Sequence, residues 1–178
     1  MTRLTTTQPS NLNQFNAVSF EVNISRIPHV EFFCQRISIP SVVLGEAFQP
    51  MPFMNLPVEG DTLTFEPLNL SFILDEDLKN YQEIYNWMTA LGFPREYGQF
   101  ASLKESSLDA GEYDSMFSDM TIMLLTNKSN PNYEISFTDA FPTSLSGVQL
   151  DVTQMALDPI VVDVTFNFKG MFNIKKVG

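Results

Sequence analysis

The chain predicts a mainly β protein, an antiparallel β-sandwich or open barrel with one α-helix. Three observations carry that expectation. Several stretches alternate apolar and polar residues with period two, which places apolar side chains on one face of a strand. Sixteen phenylalanines are many for 178 residues, and they suit a pleated, half-buried surface better than a helix. A single stretch, after the fourth strand, repeats its apolar residues at three- and four-residue spacing. The length suits one domain with a sizeable core.

Residues 1–14, rich in Thr, Gln, Asn and Ser, read as a flexible N-terminal arm, and residues 15–178 as a single domain. In "NAVSFEVNIS", Val18, Phe20, Val22 and Ile24 face inward and Ser19, Glu21, Asn23 and Ser25 outward. "VEFFCQRISI" is the second strand, stopped by Pro40. "DTLTFEPL" and "NLSFIL" follow around Pro67, with Leu68, Leu70, Phe72 and Leu74 on one face. The helix spans "DEDLKNYQEIYNWMTALGFP". Asp75 is expected at its N-cap, and Glu76 and Asp77 favour the positive end of its dipole. Leu78, Tyr81, Ile84, Tyr85, Met88 and Leu91 form its expected core face, and Gly92 and Pro94 end it. Residues 95–118 show no period and read as an inserted loop. "DMTIMLLT" and "YEISF" are strands joined by the turn "NKSNPN", and "TDAFPTSLSG" is a connection. "VQLDVTQ" and "PIVVDVTFNFKGMFNI" complete seven or eight strands, the last with Val162, Val164, Phe166 and Phe168 inward.

The stretch Ser41–Gly60 fits none of these patterns. It is long for a connection and unusually apolar, with Phe48, Met51, Phe53, Met54 and Leu56 set among Pro50, Pro52 and Pro57. Proline keeps such a segment out of a helix or a central strand. The segment can fold back as a lid or reach out to cover another chain. Proline stiffness lowers the ordering cost of the second choice, and Met and Phe suit an adaptable apolar contact.

No pattern supports catalysis or a bound cofactor. His29 is a lone histidine beside Pro28, and Cys34 is a lone cysteine in the apolar setting "EFFCQRI". A metal site would need several such ligands, and a hydrolase would need a nucleophile elbow that is missing here. Asp75–Asp77 lacks the spacing of a calcium loop, and no phosphate-cradling glycine loop occurs. Ten Lys and Arg against twenty-one Asp and Glu give a net charge of −11, which argues against a protein that grips nucleic acid but not against one that lets it slide past. The polar N-terminus lacks the apolar core of a signal peptide, and no run approaches the roughly 18 apolar residues that cross a bilayer. Synthesis in the cytoplasm without membrane insertion is the expectation.

The whole pattern resembles the tail tube proteins of long contractile-tailed bacteriophages and the related tube proteins of contractile injection systems. "FNAVSFEVNIS" leads into "VEFFCQRISIPSV", with Phe32, Cys34 and Pro40 in the F-x-C-x-x-x-x-x-P passage. An apolar connection ends in "PVEGD", Pro57–Asp61, and "TFEPLNLSFILDEDLKNYQEIYNWM" brings the strand, the acidic helix start and the Trp87-bearing helix. The likeness spans roughly residues 15–175.

The resemblance implies hexameric rings whose sheets join across subunits into one barrel. Stacked rings form a tube that conducts DNA inside a sheath, in a virion tail that also holds baseplate and tape-measure proteins. It makes residues 41–60 an arm to the adjacent ring, with Phe48, Pro50, Met51, Pro52, Phe53, Met54, Leu56 and Pro57 as its contacts. The polar faces of the alternating strands, with Glu21, Asn23 and Asp163, are the expected lumen wall. A single-ring tube initiator, terminator or baseplate component shares the pattern, and an unrelated β-sandwich binding module is the remaining alternative.

Overall fold

The computed structural model describes residues 15, 19–92, 116–151, 153 and 158–177. The expected N-terminal arm and most of the insertion, residues 95–115, lie outside them. Nine strands and two helices occur among the described residues. They are β1 (Phe20–Ile24), α1 (Pro28–Phe33), β2 (Cys34–Ser38), β3 (Val42–Pro50), β4 (Asn55–Phe65), β5 (Leu68–Ile73), α2 (Lys79–Gly92), β6 (Ser118–Leu125), β7 (Pro131–Leu145), β8 (Val161–Asn167) and β9 (Asn173–Lys176).

One antiparallel sheet runs β1-β6-β7-β8-β5-β2, with β9 added beside β7, and β3 and β4 form a separate two-stranded sheet. The long strand β7 divides its pairing. Residues up to Ala140 pair with β6 and β9, while Phe141–Leu145 pair with β8. At the changeover Asp139 adopts a positive φ of 52°. The buried positions slip there from Ile135 and Phe137 to Ala140 and Pro142, three residues on from Phe137 where strict alternation would give two. A strand that bends at such an irregularity can serve two layers. The stretch 138–147, expected as a connection, is this bend and its continuation, and Pro142 is buried.

The core lies between the two layers. Val22, Ile24, Met120, Ile122, Ile135 and Phe137 enter it from one side, and Leu68, Leu70, Phe72, Val162, Val164 and Phe166 from the other. These are the inward positions of the period-two stretches. Several boundaries differ from expectation. Pro28–Phe33 is a short helix, not the start of a strand. Pro28 stands in its first turn, where a missing N–H costs nothing, and Val30 is driven into the core. The final stretch breaks after Asn167 and resumes as β9, turning at Gly170, whose φ is +77°. No strand is assigned within Val148–Asp151.

Helix α2 begins at Lys79 and not at Asp75. Asp75–Leu78 form a turn closed by the Leu78 N–H to the Asp75 carbonyl at 3.0 Å, with Leu78 at φ 57°. The buried Asn80 replaces the expected cap. Its Nδ2 donates to the Ile73 carbonyl at 2.8 Å, and its Oδ1 accepts the N–H groups of Tyr81 at 2.9 Å and Asp75 at 3.3 Å. This rotates the inward face. Asn80, Ile84, Trp87 and Ala90 are buried, and Tyr81, Met88 and Leu91 lean on the core partly covered. Leu78 and Tyr85, expected to face the core, stand about half exposed. Trp87 lies 6.1 Å from Phe166, donates its indole N–H to the Met116 carbonyl at 2.9 Å, and carries the Arg26 guanidinium over its ring at 5.2 Å.

Candidate functional site

The residues expected to reach out are gathered in one projecting ribbon. Ser41–Gly60, read from sequence as an irregular connection, belongs to the β3–β4 hairpin, with a four-residue tip, Met51–Met54, between Pro50 and its partner Asn55. Pro50 and Pro57 fit because each strand of a two-stranded ribbon has an open edge, where a residue without an N–H loses no ladder bond. The same prolines blunt that edge against further strand pairing.

The hairpin also continues the pairing of the sandwich. Ser38 faces Asn69 at the end of β2–β5, and Val42 faces Phe65 at the start of β3–β4. Three residues separate these points on each strand, so the register is unbroken and Pro40 falls opposite Pro67. The Glu66 N–H to Ser41 carbonyl bond at 3.1 Å keeps the two chains together beside that pair. Two prolines face to face cannot bond each other, and the gap marks where the ribbon leaves the sandwich. Beyond it β3 runs nine residues, about 30 Å at the rise of an extended strand.

Among the described residues, both faces of the ribbon stay open from Val42 to Leu56. The consecutive residues Val42, Val43 and Leu44, which point to alternate sides, are 47%, 51% and 54% exposed. Phe48, Met51, Met54 and Leu56 are also exposed, and Phe53 at the tip is fully so. Large apolar patches of this kind mark interaction surfaces.

Gly45 and Gly60 sit at the register shift in the ribbon. A Cβ on Gly60 would lie 2.6 Å from the Gly45 carbonyl oxygen. Gly60→Ala is therefore expected to distort the ribbon at a local cost of about 1–3 kcal/mol. Amide exchange in β3 and β4 should quicken by roughly tenfold or more, while the thermal midpoint of the sandwich stays unchanged because the ribbon is not part of its core.

The layer that carries the ribbon has two open edges. β2 pairs only with β5, and Phe141–Leu145 of β7 pair only with β8, among the described residues. Its outer face is lined with short polar groups. Ser71 Oγ donates to Asp163 at 2.5 Å, and Thr165 Oγ1 donates to Asn69 at 3.0 Å. Gln35, Arg36, Ser71, Val161 and Asp163 line a shallow cavity of about 530 Å³ there. Asp163 thus lies on one outer face. Glu21 and Asn23 point outward from β1, in the other layer. The two layers share one core, so their outer faces look in opposite directions, and the three residues expected to share a wall are not brought together.

The single histidine lies in α1, where Nδ1 meets Glu83 Oε1 of α2 at 2.5 Å and ties the two helices together. Cys34 is partly buried at the start of β2, and burial pushes its thiol up to about 11, against a weaker opposing effect from a backbone hydrogen bond with Arg36. At pH 8 only about a thousandth of it is thiolate. Alkylation of the folded protein by iodoacetamide at pH 8 is expected to be roughly 100-fold slower than that of free cysteine, and to recover in urea. The raised value also means that its contribution to stability is complete below about pH 9 and is lost as pH climbs through about 11.

A family model described as phage tail tube protein matches residues 4–172. The chain belongs to the phage tail tube protein family. Tail tube membership removes the reading as an unrelated binding module. Solved structures of tube components share the fold. One is the cap that terminates the tube of the anti-feeding prophage, at 13% identity over 99% of this chain and 100% of that one, with a TM-score of 0.56. Another is a sheath/tube terminator of the extracellular contractile injection system PVC, at 15% identity over 92% and 97%, with a TM-score of 0.56. A third is the PVC sheath–tube complex in its extended state, at 15% identity over 92% and 93%, with a TM-score of 0.52. No curated protein matches the chain.

Proposed function

We propose that this tail tube protein is the repeated subunit of hexameric rings that stack into the tube through which a phage tail delivers DNA to its host. The observation that carries the reading is the β3–β4 ribbon, a two-faced apolar arm about 30 Å long whose large apolar side chains from Val42 to Leu56 stand exposed. Phe48, Pro50, Met51, Pro52, Phe53, Met54, Leu56 and Pro57 are its contacts to the adjacent ring. The open edges at β2 and at the end of β7 join neighbouring subunits within a ring by strand pairing, which also removes the aggregation hazard of a bare edge. The outer face of β2, β5 and β8, with Asp163, is the lumen wall, and Glu21 and Asn23 face the surrounding sheath. An acidic lumen lets phosphates pass without sticking. The protein has no catalytic role and takes no cofactor. It works in the virion tail after synthesis in the host, with sheath, baseplate and tape-measure proteins as further partners.

A ring that starts or ends the tube is the second reading, favoured by the likeness to a cap and a terminator. Negative-stain microscopy of the purified protein tests both. Tubes of indefinite length support the repeated subunit, and single rings that never extend support the terminal one. A persistent monomer overturns both. Densitometry of virions gives the same answer by copy number, with many rings' worth of protein against a single ring's.

A further inference from the structure

Resting on the stacked-ring reading, we infer that the β3–β4 arm of one subunit docks on the β9 edge of a subunit in the adjacent ring, with its apolar tip on Met171, Ile174 and Val177 and its carboxylates towards Lys175 and Lys176. The arm carries Glu46, Glu59 and Asp61 and no Lys, Arg or His between Val42 and Phe65. On a protein of net charge −11, most of a sister molecule's surface repels such an arm. Its receptor has to offer cations beside exposed apolar side chains.

β9 offers both. Among the described residues it pairs with β7 on one side only, and all four of its residues are exposed. A cross-strand row runs Val22, Ile122, Ile135, Ile174. The first three are at most 5% exposed, whereas Ile174 is 59% exposed. The core row therefore ends at an uncovered edge, flanked by Met171 at 68% and Val177 at 48% exposure. Lys175 and Lys176 project from the same strand. The Val177 N–H bonds the Asn132 carbonyl at 2.9 Å, which sets this end beside the β6–β7 turn that holds Lys128. The facing residues on β7 are Glu134, opposite Lys175, and Tyr133, opposite Lys176, so positive charge remains in excess. Lys169 is engaged elsewhere, 3.6 Å from Asp139 and over the Phe117 ring.

A subunit's own arm does not serve its own β9. Phe65 at the arm's base packs against Phe172, 5.6 Å between ring centres, whereas Phe53 at its tip is fully exposed and so rests on no part of its own β9. Only a second copy can bring a tip back.

The test places a photo-crosslinking phenylalanine analogue at Phe53 in the full chain and irradiates assembled tubes made from mixed light and heavy isotope-labelled protein. Crosslinked peptides that join the tip of one copy to residues 171–177 of another are the expected result. Intermolecular crosslinks elsewhere overturn the inference while leaving ring stacking intact, and tubes with no crosslink or with intramolecular ones alone overturn it too. Absence of rings or tubes in the untreated protein is a failure of the underlying reading instead. Charge exchange gives a second measure. Lys175→Glu with Lys176→Glu should slow assembly by about tenfold at low salt, and Glu46→Lys with Glu59→Lys should do the same. All four changes in one chain should restore the rate to within about threefold. A combined loss that multiplies places the dock elsewhere.

Discussion

Phe53→Ser combined with Met54→Ser leaves the monomer's thermal midpoint unchanged and abolishes stacking into tubes. The first half follows from exposure. Phe53 is fully exposed and Met54 64% exposed, so the folded chain gains almost nothing from either. The second half follows from what covering them is worth, about 1.5–3 kcal/mol for each side chain buried. Losing both weakens each arm contact by roughly 3–6 kcal/mol, or about two to four decades in the association constant. A tube repeats that loss at every subunit. Differential scanning fluorimetry and sedimentation of the same preparation check the two halves together. A fall in midpoint would place the tip inside the subunit's own core, and unimpaired sedimentation of tubes would remove the arm from assembly.

Trp87→Ala is expected to have the largest effect on the fold itself. Trp87 is 2% exposed at the point where α2 meets β8, against Phe166. Truncation costs about 3–5 kcal/mol in lost transfer energy and cavity, out of a total stability of about 5–15 kcal/mol. It also leaves the Met116 carbonyl without its donor and takes the ring from beneath Arg26. The thermal midpoint should fall by roughly 10 °C. Trp87→Phe keeps most of the apolar volume and loses the N–H, so it should cost only about 1–2 kcal/mol. Equal loss in the two variants would mean that the hydrogen bond, and not the packing, holds the helix on the sandwich. Urea titrations of both variants decide it.

The period-two stretches in β1, β5 and β8 were legible because alternation is a local property. Each polar residue there follows an apolar one, and the pleat alone sends them to opposite faces. The sequence also showed that the segment around Phe53 was too apolar for an ordinary loop, and its resemblance to tail tube proteins was correct. The helix α1 was not legible. "VEFF" is too short for a period to separate helix from strand, and what decides it is Val30 finding the core while Pro28 opens the turn. The face of α2 was misjudged at Leu78 and Tyr85 because the start of a helix sets its rotation. That start came from the Asn80 side chain reaching the Ile73 carbonyl, a contact that spacing does not encode.

The sequence by itself determined the class of the fold, the inward set of its strands, and the presence of an oily segment that its own loops had no reason to carry. The tertiary structure decided how that segment is deployed. Pro40 meets Pro67 only when β2 and β5 pair, and this meeting releases the ribbon from the sandwich while keeping its register. The structure also decided that Glu21 and Asp163 look opposite ways, because β7 bends at Asp139 and wraps both layers around one core. Alternation says which side of a strand is wet, but only the path of the backbone through space says which wet sides lie together.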